Sequence, residues 1–272
     1  MISSDSILAK IEFREPADSF KLGLRRRGKE IGILNKRLII LAAQLVLLFG
    51  SAWLPAQQSP HPAFSTNAQA ERIPNLDTLK KELRQYHDCT CTCGCLAHDQ
   101  DVQADRAIAF LRQRAAHPRA QEKLALILDI DETTLSNYQE ELGADFAYNK
   151  PVFDAWVETA QATAIPGTLR LYKEAQRLGV SVIFITGRDE AQRDATLRNL
   201  RAQGFDHWQE LVMRPADHGS QTIGEFKQVA RGQAIAKGYT LALNVGDQWS
   251  DLKGKPEAEF SVKYPDPYYF IP

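Results

Sequence analysis

The residues best suited to chemistry are two pairs of carboxylates, each placed just past a short apolar run. Leu124–Leu128 gives way to Asp129-Ile130-Asp131-Glu132-Thr133-Thr134. Two carboxylates two residues apart at a strand end converge on one point, because the chain leaves the regular pleat there. Their repulsion needs a proton or a cation to relieve it. A later run, Thr240–Val245, ends in Gly246-Asp247-Gln248-Trp249-Ser250-Asp251 and brings Asp247 and Asp251 to the same rim. Acidic oxygens with no His or Cys beside them favour a hard cation, and Mg²⁺ is the expected ion. Between the two pairs, Val180–Ile185 ends in Thr186-Gly187-Arg188, a hydroxyl plus backbone N–H groups suited to a phosphate oxygen. Lys227, in the helical stretch after the run Glu210–Met213, supplies a compensating positive charge.

Each of these residues has an ordinary reading beside the chemical one. Asp129, Asp131 and Asp247 serve as strand-end caps, Asp251 as a helix cap, and Thr186 as a turn residue. Lys227 reads as a solvated helix lysine, Arg188 and Arg231 as members of surface ion pairs, and Trp249 as core. Arg231 also lies one turn after Lys227 on the same helical face, where it can tether an acidic segment or the substrate.

The elements that must position these groups alternate. Apolar runs at 124–128, 180–185, 210–213, 240–245 and 260–263 are separated by amphipathic stretches at 166–178, 190–203 and 222–237. Buried strands alternating with helices predict an α/β fold with a Rossmann-like, doubly wound parallel sheet. Ligands of such sheets gather beyond the carboxyl ends of the strands, which is where all the polar residues above fall. Two further helices are predicted over 75–87 and 102–116. With the insertion after the first strand, they form a small helical cap.

The chain has 272 residues, 44 % of them apolar, enough for one core of good size. A net charge of −1 gives no support for a nucleic-acid partner. The charge is unevenly spread: residues 1–70 carry nine Lys and Arg against five Asp and Glu, a net +4 that leaves −5 for the rest. Within that basic head, Lys36-Arg37 precede an apolar run from Leu38 to Phe49 that Gly50–Leu54 nearly extends. A Pro/Gln/Ser stretch and Ala68-Gln69-Ala70 follow. This is the order of an export signal cleaved near Glu71. An uncleaved membrane anchor, just short of the usual span, and a soluble helix are the alternatives. Residues 1–70 thus read as a signal or anchor segment with linker, 71–120 as a helical part and 121–272 as the core.

Four ordered features resemble the haloacid-dehalogenase superfamily: Asp-x-Asp-x-Thr after a first strand, Thr after a second, Lys in a helix, and Gly-Asp-x-x-x-Asp after a later strand. The longer strings D-I-D-E-T-T-L-S-N, I-T-G-R and G-D-Q-W-S-D-L, with the tail Y-P-D-P-Y-Y-F-I-P, resemble its acid phosphatase branch. The resemblance covers roughly residues 71–272. It implies that Asp129 attacks phosphorus and that Asp131 protonates the leaving oxygen, then activates water. It further implies a Mg²⁺ held by Asp129, the main-chain carbonyl of Asp131 and Asp247, with Asp251 in an outer position, and Thr186, Gly187 and Lys227 on the phosphoryl group. The expected partner is a small phosphomonoester. Rival expectations are a 5′-nucleotidase, a storage or binding protein on the same scaffold, and a membrane-tethered metal-binding module centred on the cysteines.

The insertion at 136–165 is too short for a large lid, and holds Tyr138, Tyr148, Phe153 and Trp156. Tyr138 is the first candidate to stack on a leaving group, against the alternative of core packing. Cys89, Cys91, Cys93 and Cys95 alternate between His87 and His98. In an exported chain such a cluster forms disulfides, with three pairings open, and a Cys/His metal site is the alternative.

Overall fold

The apolar runs that end in polar residues are the strands of one sheet. The computed structural model describes residues 73–91 and 94–271, all within the unit Ala68–Pro272. The predicted export segment and Cys93 lie outside them. In chain order the helices are α1 (Leu76–Asp88), α2 (Leu96–Ala115), α3 (Tyr138–Gly143), α4 (Lys150–Thr159), α5 (Pro166–Arg177), α6 (Arg193–Ala202), α7 (Ile223–Ala236) and α8 (Trp249–Leu252). The strands are β1 (Lys123–Leu128), β2 (Leu135–Ser136), β3 (Thr163–Ala164), β4 (Ser181–Asp189), β5 (Glu210–Arg214), β6 (Tyr239–Gly246) and β7 (Phe260–Lys263).

Five strands form a wholly parallel sheet in the order β5-β4-β1-β6-β7. Strand β1 is central and buried from Leu124 onward, so it reads as a continuous apolar run rather than an alternating one. Its side chains still alternate between layers. Leu124, Leu126 and Leu128 join a core with Ala104, Ala107 and Leu111 of α2, Leu171 and Tyr172 of α5, and Leu200 of α6. Ala125 and Ile127 pack with Phe226, Ala230 and Ala234 of α7 on the other face. Register is set by Leu128↔Phe184 on one side and Leu128↔Val245 on the other. Successive strands run outward from β1 to β4 and β5, and the chain then returns to place β6 on the opposite side of β1. That reversal is the switch point where open α/β sheets bind ligands.

The two N-terminal helices part company. α2 begins at Leu96, earlier than its apolar spacing predicts, because its first turn (L-A-H-D-Q) is polar. It packs so closely on α5 that a Cβ at Gly167 would come within 2.8 Å of Ala104 Cβ. Arg170 adds ion pairs to Asp101 and Asp105 at 2.8 and 3.0 Å. α1 buries no residue fully and instead leans on the insertion, with Lys80 and Arg84 on Asp145 at 2.5 and 3.2 Å. The insertion itself is closed at its base by the antiparallel pair β2–β3, Leu135↔Ala164 and Ser136↔Thr163. α1, α3 and α4 therefore make the small cap, while α2 belongs to a core layer.

Candidate active site

After β1 the chain turns sharply. The Ile130 carbonyl accepts the N–H groups of Thr133, Thr134 and Leu135 at 3.3, 2.8 and 2.8 Å, and Glu132 sits at φ 55°. The Thr134 hydroxyl returns to the Asp129 carbonyl at 2.5 Å. This knot fixes Asp129 beside the end of β6, where its N–H reaches the Val245 carbonyl at 3.1 Å.

Asp129, Asp247 and Asp251 then converge, all buried, with one oxygen of each within 4.8 Å of the others. Lys227, 5 % exposed, donates its ammonium to both Asp129 Oδ1 and Asp251 Oδ1. It sits in the second turn of α7, whose start is fixed by a Thr222–Glu225 capping box. Asp247 Oδ1 accepts from Thr133 at 2.8 Å, and its Oδ2 from Gln248 Nε2 at 2.8 Å. Asp251 also caps its own helix, accepting the Gln248 N–H at 2.8 Å, so the capping role and the place in the site coincide. Gly246 is what lets Asp251 lie there, since a Cβ at that position would come within 2.7 Å of Asp251 Cγ.

Arg231 is fully buried and donates to the carbonyls of Asp251, Lys253, Gly254 and Pro256 at 2.6–3.1 Å. It tethers the segment that carries Asp251, and is no surface ion pair. Arg188, also expected at the surface as an alternative, is 3 % exposed and grips Asp131 with Nη2 and Nε. Thr186 is buried within β4, its hydroxyl accepting the Arg188 N–H at 3.1 Å, and Gly187 lies against Ile223.

Burial pushes the Asp129 carboxyl upward. Lys227 pulls it back, Asp251 and Asp131 push it further up, and the result is about 7. Burial, with Asp251, Asp129, Asp266 and Glu132 around it, holds Asp247 well above the usual carboxylate range. Burial tends to discharge Lys227, but Asp129 and Asp251 outweigh it and hold the ammonium charged. One lysine faces three buried carboxylates. That surplus, and a donor set of oxygens alone, fit a hard divalent cation at the cluster of Asp129, Asp247 and Asp251.

Several neighbours were not foreseen. Glu132 is 3 % exposed and accepts the Asn137 N–H at 2.6 Å and the Tyr269 hydroxyl at 3.3 Å. Gln248 links Asp247 to Asp266 at 2.6 Å, and the Ile271 N–H returns to Gln248 Oε1 at 3.0 Å. The tail thereby walls one side of the site. Glu132 and Asn137 lie inside the string that carries the resemblance, and Asp266 is an acid in a Pro-rich tail. Those were the available signals.

Trp249 is not core: it is 46 % exposed, with Lys253 and Lys263 over its ring at 4.8 and 5.7 Å. Tyr138 takes the packing role, buried and stacked on His87 with centroids 3.3 Å apart. Cys91 is disulfide-bonded, and the buried Cys95 thiol donates to the Cys91 carbonyl at 2.7 Å. The sulfurs of Cys89, Cys91 and Cys95 lie within 4.8 Å of one another.

A parallel sheet whose strand order reverses beside buried carboxylates and a lysine defines a doubly wound α/β protein with a polar centre at its switch point. A family model described as HAD superfamily, subfamily IIIB (acid phosphatase), matches residues 54–272, and the chain belongs to that family. It is 38 % identical to Acid phosphatase 1 of Solanum lycopersicum over 148 residues, 53 % of this chain and 58 % of that protein. The chain thus spans little more than half the length of that relative. It is 34 % identical to Vegetative storage protein 1 of Arabidopsis thaliana over 211 residues, covering 75 % of this chain and 76 % of that one. Among solved structures, the class C acid phosphatase of Bacillus anthracis superposes with a TM-score of 0.60 at 21 % identity, over 72 % of this chain and 86 % of that chain. That likeness is one of fold.

Proposed function

We propose that the protein is a Mg²⁺-dependent phosphomonoesterase acting on small organic phosphates outside the cytoplasm, through a phosphoryl group carried on Asp129. The observation that carries this reading is the contact of Lys227 with both Asp129 and Asp251 beside Asp247. The buried ammonium, with a divalent cation held by the carboxylates, would supply the positive charge that a dianionic group needs as it transfers.

Asp129 supplies the attacking oxygen, made available by Lys227, which orients it and balances its charge. Thr186 and Gly187 offer a hydroxyl and N–H groups to the non-bridging oxygens. Asp131 gives a proton to the leaving oxygen and takes one from the water that releases phosphate. Asp129, Asp247 and the Asp131 carbonyl would hold Mg²⁺, with Asp251 adjoining. The bound ion would supply positive charge to the transferring group.

Export is supported by the basic, apolar and small-residue order of residues 36–70. Among the described residues, no helix is long and apolar enough to cross a membrane. A storage role, carried by the name of the Arabidopsis relative, is the second reading. The presence of Asp129 with its lysine favours catalysis. The deciding experiment assays the chain from Glu71 on p-nitrophenyl phosphate with Mg²⁺ and with EDTA, beside Asp129→Asn. Turnover that needs both the cation and Asp129 is expected. An inactive wild-type protein supports storage, and an active Asp129→Asn refutes the mechanism.

A further inference from the structure

We propose that Arg188 and Asn137 form a clamp that occupies Asp131 Oδ1 and leaves Oδ2 as the oxygen that exchanges the proton. The inference rests on the phosphatase reading above, and adds two positioning residues to it. Arg188 reaches Asp131 Oδ1 with Nη2 at 2.7 Å and Nε at 3.0 Å, while Oδ2 receives only the longer share of the Nε bond, 3.2 Å. Asn137 Nδ2 adds a third donor to Oδ1 at 2.8 Å. A carboxylate oxygen has two lone pairs, so three donors leave no place on Oδ1 for a proton. A guanidinium fork also fixes the plane of the carboxyl group it holds, which a single ammonium does not.

The clamp is itself held. Arg188 Nη1 donates to Thr196 at 3.2 Å. The Asn137 backbone N–H donates to Glu132 Oε1 at 2.6 Å, and Nδ2 is shared with Glu132 Oε2 at 3.0 Å. Trp156 Nε1, on cap helix α4, donates to Asn137 Oδ1 at 2.9 Å. An indole N–H can only donate, so it fixes which end of the amide faces the carboxylates. The cap therefore reaches Asp131 through one amide.

In the first half-reaction, the Oδ2–H bond breaks as its proton passes to the ester oxygen. The bond from phosphorus to that oxygen breaks while an Asp129 oxygen bonds phosphorus. Asp131 is left as a carboxylate facing the guanidinium. In the second half, Oδ2 takes a proton from water as the water oxygen bonds phosphorus and the bond to Asp129 breaks. Arg188 and Asn137 touch neither the phosphoryl group nor the leaving group.

The test compares kcat/KM, which reports the leaving-group step, on glycerol 2-phosphate and p-nitrophenyl phosphate in Mg²⁺. An alkoxide must be protonated to leave, whereas p-nitrophenolate leaves unaided. Arg188→Gln is expected to lower kcat/KM on the alkyl ester by about 10²-fold and on the aryl ester by under about tenfold, with inhibition by inorganic phosphate unchanged. Equal losses on both esters, or weakened phosphate inhibition, would place Arg188 on the phosphoryl group and overturn the proposal. Arg188 is buried, so Trp156→Phe provides a gentler variant. It removes one donor to Asn137 and should show the same split on a smaller scale; no split there overturns the proposal even if Arg188→Gln does not fold. Asp129→Asn, run on both esters, separates the two levels. Activity in that variant removes the underlying mechanism, whereas an inactive Asp129→Asn with an unsplit Arg188→Gln removes only the clamp.

Discussion

Lys227 shows how a residue's neighbours decide its meaning. A helix lysine is ordinarily solvated, but this one lies between Asp129 and Asp251 with almost no exposure. Replacing it with Met leaves like charges facing each other in a dry site, and removing one partner of a buried pair costs about 3–5 kcal/mol. Lys227→Met should melt well below wild type in EDTA and lose at least about 10²-fold in kcat. Added Mg²⁺ should recover a larger share of the melting temperature in the variant than in wild type, which differential scanning measurements can check. The acids and the lysine were legible in the sequence because their types and their places after apolar runs are local properties. The closing of the site by the tail was not, because it depends on partners that the fold brings from elsewhere: Tyr269 meets Glu132 across 137 positions.

At the scale of elements, the junction between β6 and α8 is the tightest constraint on the site. Gly246 ends a strand, and the side chain of Asp251 lies where its Cβ would be. Gly246→Ala should therefore displace Asp251 from Lys227 and Gln248, lowering both stability and activity, with a larger Mg²⁺ requirement for half-maximal turnover. An unchanged Mg²⁺ titration would show that Asp251 can be moved without cost. The strands that carry Thr186, Asp129 and Asp247 were readable as apolar runs of β-branched and aliphatic residues. The insertion was harder. Helices α3 and α4 are short, and β2 and β3 are two residues each. Of these, only α4, at ten residues, is long enough to show a period. Even so, this is the segment that brings Trp156 to Asn137.

For the whole molecule, acid acts in two opposing ways. Arg114, with help from the Arg119 N–H, holds the Glu122 carboxyl down at about 2, and Arg177 and Arg112 do the same for Glu174. Both folded values lie below the ordinary 4.5, so this stabilisation is present above about pH 4.5 and lost as pH falls toward 2. Wild type should out-melt Glu122→Gln at neutral pH, with the gap closing toward pH 2. Glu141 in the cap behaves in the reverse sense. Burial, with Glu140 and Asp266 nearby, raises its carboxyl to about 7, so its contribution is intact below about 4.5 and lost as pH rises through 7. Glu141→Gln should melt above wild type at about pH 8 and match it near pH 4, in thermal unfolding followed by circular dichroism. A cap that tightens in acid and a core clasped by arginine pairs together favour the mildly acidic range.

The switch point has a further consequence, for the protein's synthesis. Thr133 and Asp247 touch across 114 positions of chain, so a growing polypeptide presents Asp129 long before the strand that completes the carboxylate cluster is made. Until β6 pairs with β1, Asp247 and Asp251 cannot join Asp129, and the three-carboxylate cluster does not exist. A chain exported unfolded would therefore pass through the cytoplasm without an assembled centre.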